Sequence, residues 1–162
     1  MKILIFGIVA SGKTTLAAKL SEKMDIPYFE GDCIAWGFPN EKRYKRTNEE
    51  QAEIIENINK NDNWIVEGTY RESQKILYEY ADKIIFLDTP LHVRKFRIIL
   101  RFIKQQLGIE KSHYKSDITM LKLMFQWTKD FETHKREHID RLLKYKDKLI
   151  WVKSSKELNK LL

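Results

Sequence analysis

The stretch GIVASGKTT at residues 7–15 sets Gly7 and Gly12 five positions apart, directly ahead of Lys13, Thr14 and Thr15. The spacing fits G-x-x-x-x-G-K-[ST], whose backbone N–H groups cradle the α- and β-phosphates of a nucleotide. Glycine is required where the chain takes positive φ or lies close to a phosphate. A helix opening at Lys13 adds a partial positive charge at the same spot. Residues Gly7, Ala10, Ser11, Gly12, Lys13, Thr14 and Thr15 are therefore expected to line a nucleotide site, with Lys13 reaching the β/γ-phosphates. The Thr14 hydroxyl is the expected Mg²⁺ ligand.

Further residues carry chemistry that such a site needs. Asp32 and Glu67 each stand at the end of an apolar run, as does Asp88. In an open parallel sheet the carboxyl ends of the strands line the ligand crevice. A carboxylate at Asp32 can orient or deprotonate an acceptor hydroxyl; its plainer reading is a helix N-cap or turn residue. An acid at Glu67 can hold Mg²⁺ through water. Asp88 is the competing choice for that metal, and which acid serves depends on strand order. Glu67 is favoured and Asp88 read as a turn residue ahead of Pro90. Trp36, just beyond Asp32, is placed to cover a substrate. Arg71 is expected to meet the anionic part of an acceptor. Arg94, Arg97 and Arg101 recur at helical spacing, and Lys135, Arg136 and Arg141 follow on a later basic segment. Arginine matches phosphate oxygens bidentately, so Arg97, Arg101 and Arg136 read as lid charges that clamp a transferring phosphoryl group.

These residues need a frame. Short, nearly continuous apolar runs at 2–6, 27–31, 63–68, 83–88 and 148–153 fit parallel strands covered on both faces. Between them lie helical patterns at 14–24, 48–59, 91–107, 116–127, 131–146 and 156–162. Thr47 heads the second of these as an N-cap, with Glu49 and Glu50 in its first turn. The segment 91–107 sets Val93, Phe96, Ile99, Leu100 and Ile103 against Arg94, Arg97, Arg101 and Lys104. Strands alternating with helices imply an α/β fold with a mostly parallel sheet. At 162 residues the chain is expected to form one domain, with a helical lid at about 102–130. The stretches 36–47 and 108–116 read as loops.

Composition narrows the class. Residues 1–90 carry a net charge of −3 and residues 91–162 one of +10. An anionic partner is implied: nucleotide phosphates, nucleic acid or an acidic surface. No apolar run is long enough to cross a bilayer, so no membrane partner is expected. The single Cys33 forms no internal disulfide, and a cytoplasmic location is the expectation. Asn59-Lys60-Asn61-Asp62 fits the guanine-reading NKxD of GTPases literally, but it follows a helix and precedes a strand, the wrong side of the unit. Its residues are ordinary turn formers. A motor or switch ATPase usually needs a longer chain. His134 and His138 share metal-ligand spacing without a third ligand and are taken as surface residues, and Phe125 and Trp127 as core or lid packing. What remains is a small-molecule or nucleotide kinase using ATP.

GDCIAWGF after the second strand, WIVEGTYRES around the third, ADKIIFLDTP and VRKFRIILR resemble the small P-loop proteins called DNA topology modulation proteins. These are grouped with the adenylate-kinase-like and shikimate-kinase-like P-loop kinases. The resemblance runs over nearly the whole chain and is weakest at 36–48 and 105–130. It implies five parallel strands in the order 2-3-1-4-5 with flanking helices, and ATP with Mg²⁺. It also implies an alternative function, a DNA-associated nucleotide-binding protein with weak or no kinase activity, although no DNA-reading motif is present. The chain departs from the family by carrying Glu67 where aspartate is usual. It also has WTKDFETHKR where the lid usually has Tyr-Pro-Arg, leaving Lys129, Lys135 and Arg136 as substitutes.

Overall fold

A computed structural model describes residues 1–37, 43–110 and 116–158. The expectations for the middle of loop 36–47, for part of the 102–130 lid and for residues 159–162 lie outside the described residues.

Five strands form one sheet: β1 (Lys2–Phe6), β2 (Tyr28–Glu30), β5 (Trp64–Gly68), β6 (Lys83–Leu87) and β7 (Leu149–Val152). All are parallel, in the order β2-β5-β1-β6-β7, which is the expected 2-3-1-4-5. The remaining two strands, β3 (Trp36–Gly37) and β4 (Tyr44–Lys45), make a small antiparallel pair. Eight helices complete the described fold: α1 (Lys13–Met24), α2 (Gly31–Ala35), α3 (Asn48–Asn59), α4 (Ile76–Tyr80), α5 (Leu91–Gln106), α6 (Ile118–Thr133), α7 (Lys135–Leu143) and α8 (Ser155–Leu158).

The central strands β1, β5 and β6 are buried on both sides, because successive side chains point to opposite faces, while the edge strands β2 and β7 are partly exposed. Leu4, Phe6, Trp64, Val66, Ile84 and Phe86 pack against Ile55 of α3, Leu77 of α4, Phe131 of α6 and Leu142 of α7. Ile3, Ile5, Ile65, Ile85 and Leu87 pack against Leu16 and Leu20 of α1 and Leu158 of α8. The result is three layers, helix on sheet on helix, with every strand's carboxyl end at one edge.

Local chemistry sets the helix starts. Thr47 accepts from the Glu50 amide while the Glu50 carboxylate accepts from the Thr47 amide, a complete capping box for α3. Asp117 caps α6 by accepting from the Met120 amide at 2.9 Å. The short α2 turn lies inside what the sequence suggests is strand and loop. It starts at Gly31, where a Cβ would sit 3.0 Å from the Glu67 carbonyl oxygen and 3.1 Å from Gln74 Oε1. A side chain there would crowd the Glu67 carbonyl, so glycine fits this close approach of α2 to β5. The helices expected at 116–127 and 131–146 run instead over 118–133 and 135–143, because the apolar series continues through Phe131 into the core.

In the basic segment, α5 buries Arg94 and Ile98 at 1% exposure each, whereas Lys95, Arg97 and Lys104 are exposed along with Phe96 at 65%. Arg94 is buried because Glu132 of α6 pairs with it and its Nε donates to the Thr89 carbonyl at 2.9 Å. His138 is half-buried rather than on the surface, stacked on Phe131 with ring centroids 5.1 Å apart. Burial pushes its pKa down. The NKxD-like stretch closes α3. Asn59 Oδ1 accepts from Lys2 Nζ at 2.7 Å, at the amino ends of the strands and so across the sheet from the phosphate loop.

Candidate functional site

Between β1 and α1 the chain makes a tight concavity. Ala10 (φ 58) and Gly12 (φ 99) both take left-handed backbone, and Gly12 is the N-cap of α1. A Cβ on Gly7 would stand 2.7 Å from Ser11 Oγ and 3.0 Å from the Leu87 carbonyl oxygen. The loop is pinned by the Gly7 amide donating to the Gly68 carbonyl at 3.2 Å. It is pinned again by the Thr89 hydroxyl donating to the Ser11 carbonyl at 2.8 Å. Successive amides aimed into one hollow form an anion site, and the α1 N-terminus reinforces it.

Lys13, Thr14 and Glu67 converge at this hollow. The Thr14 hydroxyl donates to Glu67 Oε1 at 2.9 Å, and Lys13 Nζ stands 3.9 Å from Glu67 Oε2. Lys13 Nζ also donates to the Ile8 carbonyl at 3.1 Å. The Lys13 and Glu67 side chains are only 12% and 8% exposed. Burial lowers the Lys13 pKa, with the Glu67 carboxylate opposing the shift. Burial raises the Glu67 pKa, opposed by the Lys13 charge and the Thr14 hydroxyl. Glu67 Oε2 is buried and has no hydrogen-bond partner among the described residues. One hydroxyl and one carboxylate oxygen with spare lone pairs suit a hard cation that keeps several waters and takes its other ligands from phosphates. They do not suit a metal caged by protein alone, and no cluster of three histidine, cysteine or acidic side chains occurs among the described residues.

Asp88, the competing acid, is committed elsewhere. It accepts from Lys135 Nζ at 2.7 Å and from Trp151 Nε1 at 3.3 Å, tying α7 and β7 to the end of β6. Both acids belong to strands that flank β1, so position along the strand separates them: Glu67 lies within β5 beside Ile5 and meets Thr14, whereas Asp88 lies past the end of β6 and meets Lys135.

On the other side, Asp32 in the first turn of α2 pairs with Arg71. The Asp32 side chain is 73% exposed. Arg71 Nη1 is buried without a partner among the described residues. It lies at a cleft lined by Gly68, Thr69, Gln74 and Tyr78. Trp36 is half-buried on β3, with the Arg43 guanidinium 4.0 Å over its ring.

The basic residues divide. Arg97 Nη1 donates to the Ala10 carbonyl at 3.2 Å and the Ser11 carbonyl at 2.7 Å, so α5 touches the loop directly. Arg101 pairs with Glu110 at 3.4 Å. Arg136 and Lys129 are exposed on α7 and α6, while Lys135 is held by Asp88. Phe125 packs with Met124, Ile98 and Ala10 between α6, α5 and the loop, and Trp127 is 41% exposed. Thr89 is the residue that sequence reasoning missed. Its signal was its place directly after a strand-end acid, on the strand neighbouring β1.

The family described as AAA domain (AAA_18) matches residues 3–115. Deoxyadenosine kinase from M. mycoides, solved with bound dATP, is 17% identical with a TM-score of 0.52, covering 96% of this chain and 92% of that one. Shikimate kinase from Bacteroides thetaiotaomicron is 15% identical with a TM-score of 0.49, covering 82% and 80%. No curated protein matches the chain by sequence. The chain shares the overall fold of that deoxyadenosine kinase.

Proposed function

Because the chain belongs to the AAA domain family, we propose that its phosphate loop serves an ATP-dependent kinase for a small molecule or a nucleotide. The observation that carries the reading is the convergence of Lys13, Thr14 and Glu67 at the mouth of the loop. In this reading the amides of residues 10–15 hold the α- and β-phosphates, and Lys13 neutralises the β/γ oxygens. Thr14 and Glu67 hold Mg²⁺, which when bound supplies charge neutralisation and alignment of the phosphates. Asp32 orients the acceptor hydroxyl and takes its proton. Arg71, with one buried nitrogen unused, meets an anionic group on the acceptor. Arg97, Arg101 and Arg136 stabilise charge on the transferring phosphoryl group. Trp36 covers the acceptor from β3.

A single domain with a helical lid at about 102–130, and a cytoplasmic location, belong to the same proposal. The DNA-associated alternative, drawn from the resemblance to topology modulation proteins, rests on the charge of residues 91–162, whereas the kinase reading rests on several side chains around one hollow. Lys13→Ala is the direct test. Loss of ATP binding and turnover is expected, and full retention of both overturns the reading.

A further inference from the structure

The feature left over from the site is the outer face of α5. This helix has the strongest segregation of apolar from polar side chains in the fold, yet its buried side carries Arg94 with Ile98. Facing out are Phe96 (65% exposed), Ile99, Leu100 and Ile103, at the spacing of one helix face. Leu107 and Ile109, just past the helix end, are also exposed, at 66% and 70%. Single exposed apolar residues are ordinary, but four on one helix face mark a surface that something covers.

Charge says what. The 16 residues of α5 contain no acid. Lys95 flanks one edge of the apolar stripe and Lys104 the other, both exposed, and the chain from residue 91 onward carries +10. A second copy docked on the same face would set these lysines against their own counterparts, which charge opposes. We propose that this face docks on an anionic lipid bilayer. The apolar side chains lodge at the acyl boundary, and Lys95 and Lys104 meet the negative headgroups. The chain lies on such a surface without crossing it. No described helix is long and apolar enough to span a membrane, and the expectation of no membrane partner weighed spanning alone. Arg97, on the inner side of α5, holds the phosphate loop, so a docked chain would rest with its loop one helix away from the lipid.

The test is flotation of the full chain with phosphatidylcholine vesicles, with and without phosphatidylglycerol, across a salt series. The anionic vesicles are expected to carry the protein and to lose it as salt rises. Ile103→Glu should weaken this binding at least about tenfold and leave the melting temperature near that of the unaltered chain, because the side chain is 47% exposed. Lys95→Gln with Lys104→Gln should weaken anionic binding and flatten its salt dependence. No flotation overturns the proposal, and so does flotation that Ile103→Glu leaves unchanged. A dimer that Ile103→Glu dissolves, with no vesicle binding, assigns the face to a second copy instead. None of these outcomes depends on the kinase reading.

Discussion

Replacing Lys13 with methionine separates the electrostatics of the site from its nucleotide chemistry. The substitution keeps the volume of the side chain and removes its charge, leaving the Glu67 carboxylate, 8% exposed, with the Thr14 hydroxyl that donates to it and no paired cation. At the observed 3.9 Å, two unit charges in an effective dielectric of about 20 interact by about 4 kcal/mol. The protein can escape part of that loss by protonating Glu67. From an ordinary carboxyl pKa near 4.3, that costs at most about 3.7 kcal/mol at pH 7. Burial already raises the Glu67 pKa, so the escape costs less, and a loss of about 2–3 kcal/mol is expected at pH 7. That corresponds to a fall in melting temperature of roughly 5–10 °C. The sign with pH follows from linkage. A carboxyl whose folded pKa lies above its unfolded one favours folding below the unfolded value and loses that contribution as pH rises through the folded value. The deficit of Lys13→Met relative to the unaltered chain should therefore be small at pH 5 and grow towards pH 8. Adding Glu67→Gln should remove most of the deficit and its pH dependence while leaving ATP binding lost. Thermal melts of the three proteins from pH 5 to 8 decide it. A deficit that is flat with pH, or that Glu67→Gln fails to rescue, refutes the reasoning.

Other outcomes follow from the same geometry. Glu67→Gln should lower affinity for ATP in the presence of Mg²⁺ by about tenfold or more, whereas Asp88→Asn should leave it within about twofold. Titration of both variants checks the assignment, and the reverse ranking moves the metal to Asp88. Arg94→Met should cost roughly 1–3 kcal/mol in urea denaturation, because it strands Glu132, although that carboxylate is 32% exposed and partly screened. Gly12→Ala should cost about 1–2 kcal/mol, since φ is +99° and the new Cβ would stand 3.2 Å from Arg97 Nη1. It should also weaken ATP binding, measured by calorimetry, by displacing that arginine.

Much of the fold is legible in the sequence because the central strands, buried on both faces, leave unbroken apolar runs, and all five strands, the partly exposed edges β2 and β7 included, appear within a residue or two. The phosphate loop is legible for a different reason: glycine at fixed spacing answers a backbone requirement that φ of 99° at Gly12 makes explicit. Strand order alone cannot choose between Glu67 and Asp88, because β5 and β6 both flank β1; the side-chain partners that separate them, Thr14 and Lys135, lie far along the chain. What periodicity cannot give is which side of an amphipathic helix faces in. For α5 that depends on Glu132 and on the loop carbonyls near Arg97, far along the chain. The short α2 turn was hidden for a similar reason, because only the approach of the Glu67 carbonyl reveals why Gly31 is needed. His138 looked exposed because its stacking partners, Phe131 and Phe6, lie on other elements.

The central claim is that one hollow holds ATP on one side and a phosphate acceptor on the other. It is tested most directly by incubating the protein with γ-labelled ATP and Mg²⁺ against a panel of nucleosides, nucleotides and small hydroxylated metabolites. Label should pass to one compound or one narrow chemical class, and Asp32→Asn should reduce that transfer far more than it reduces ATP binding. Tight ATP binding with no labelled product across the panel, or transfer that Asp32→Asn leaves intact, would contradict it.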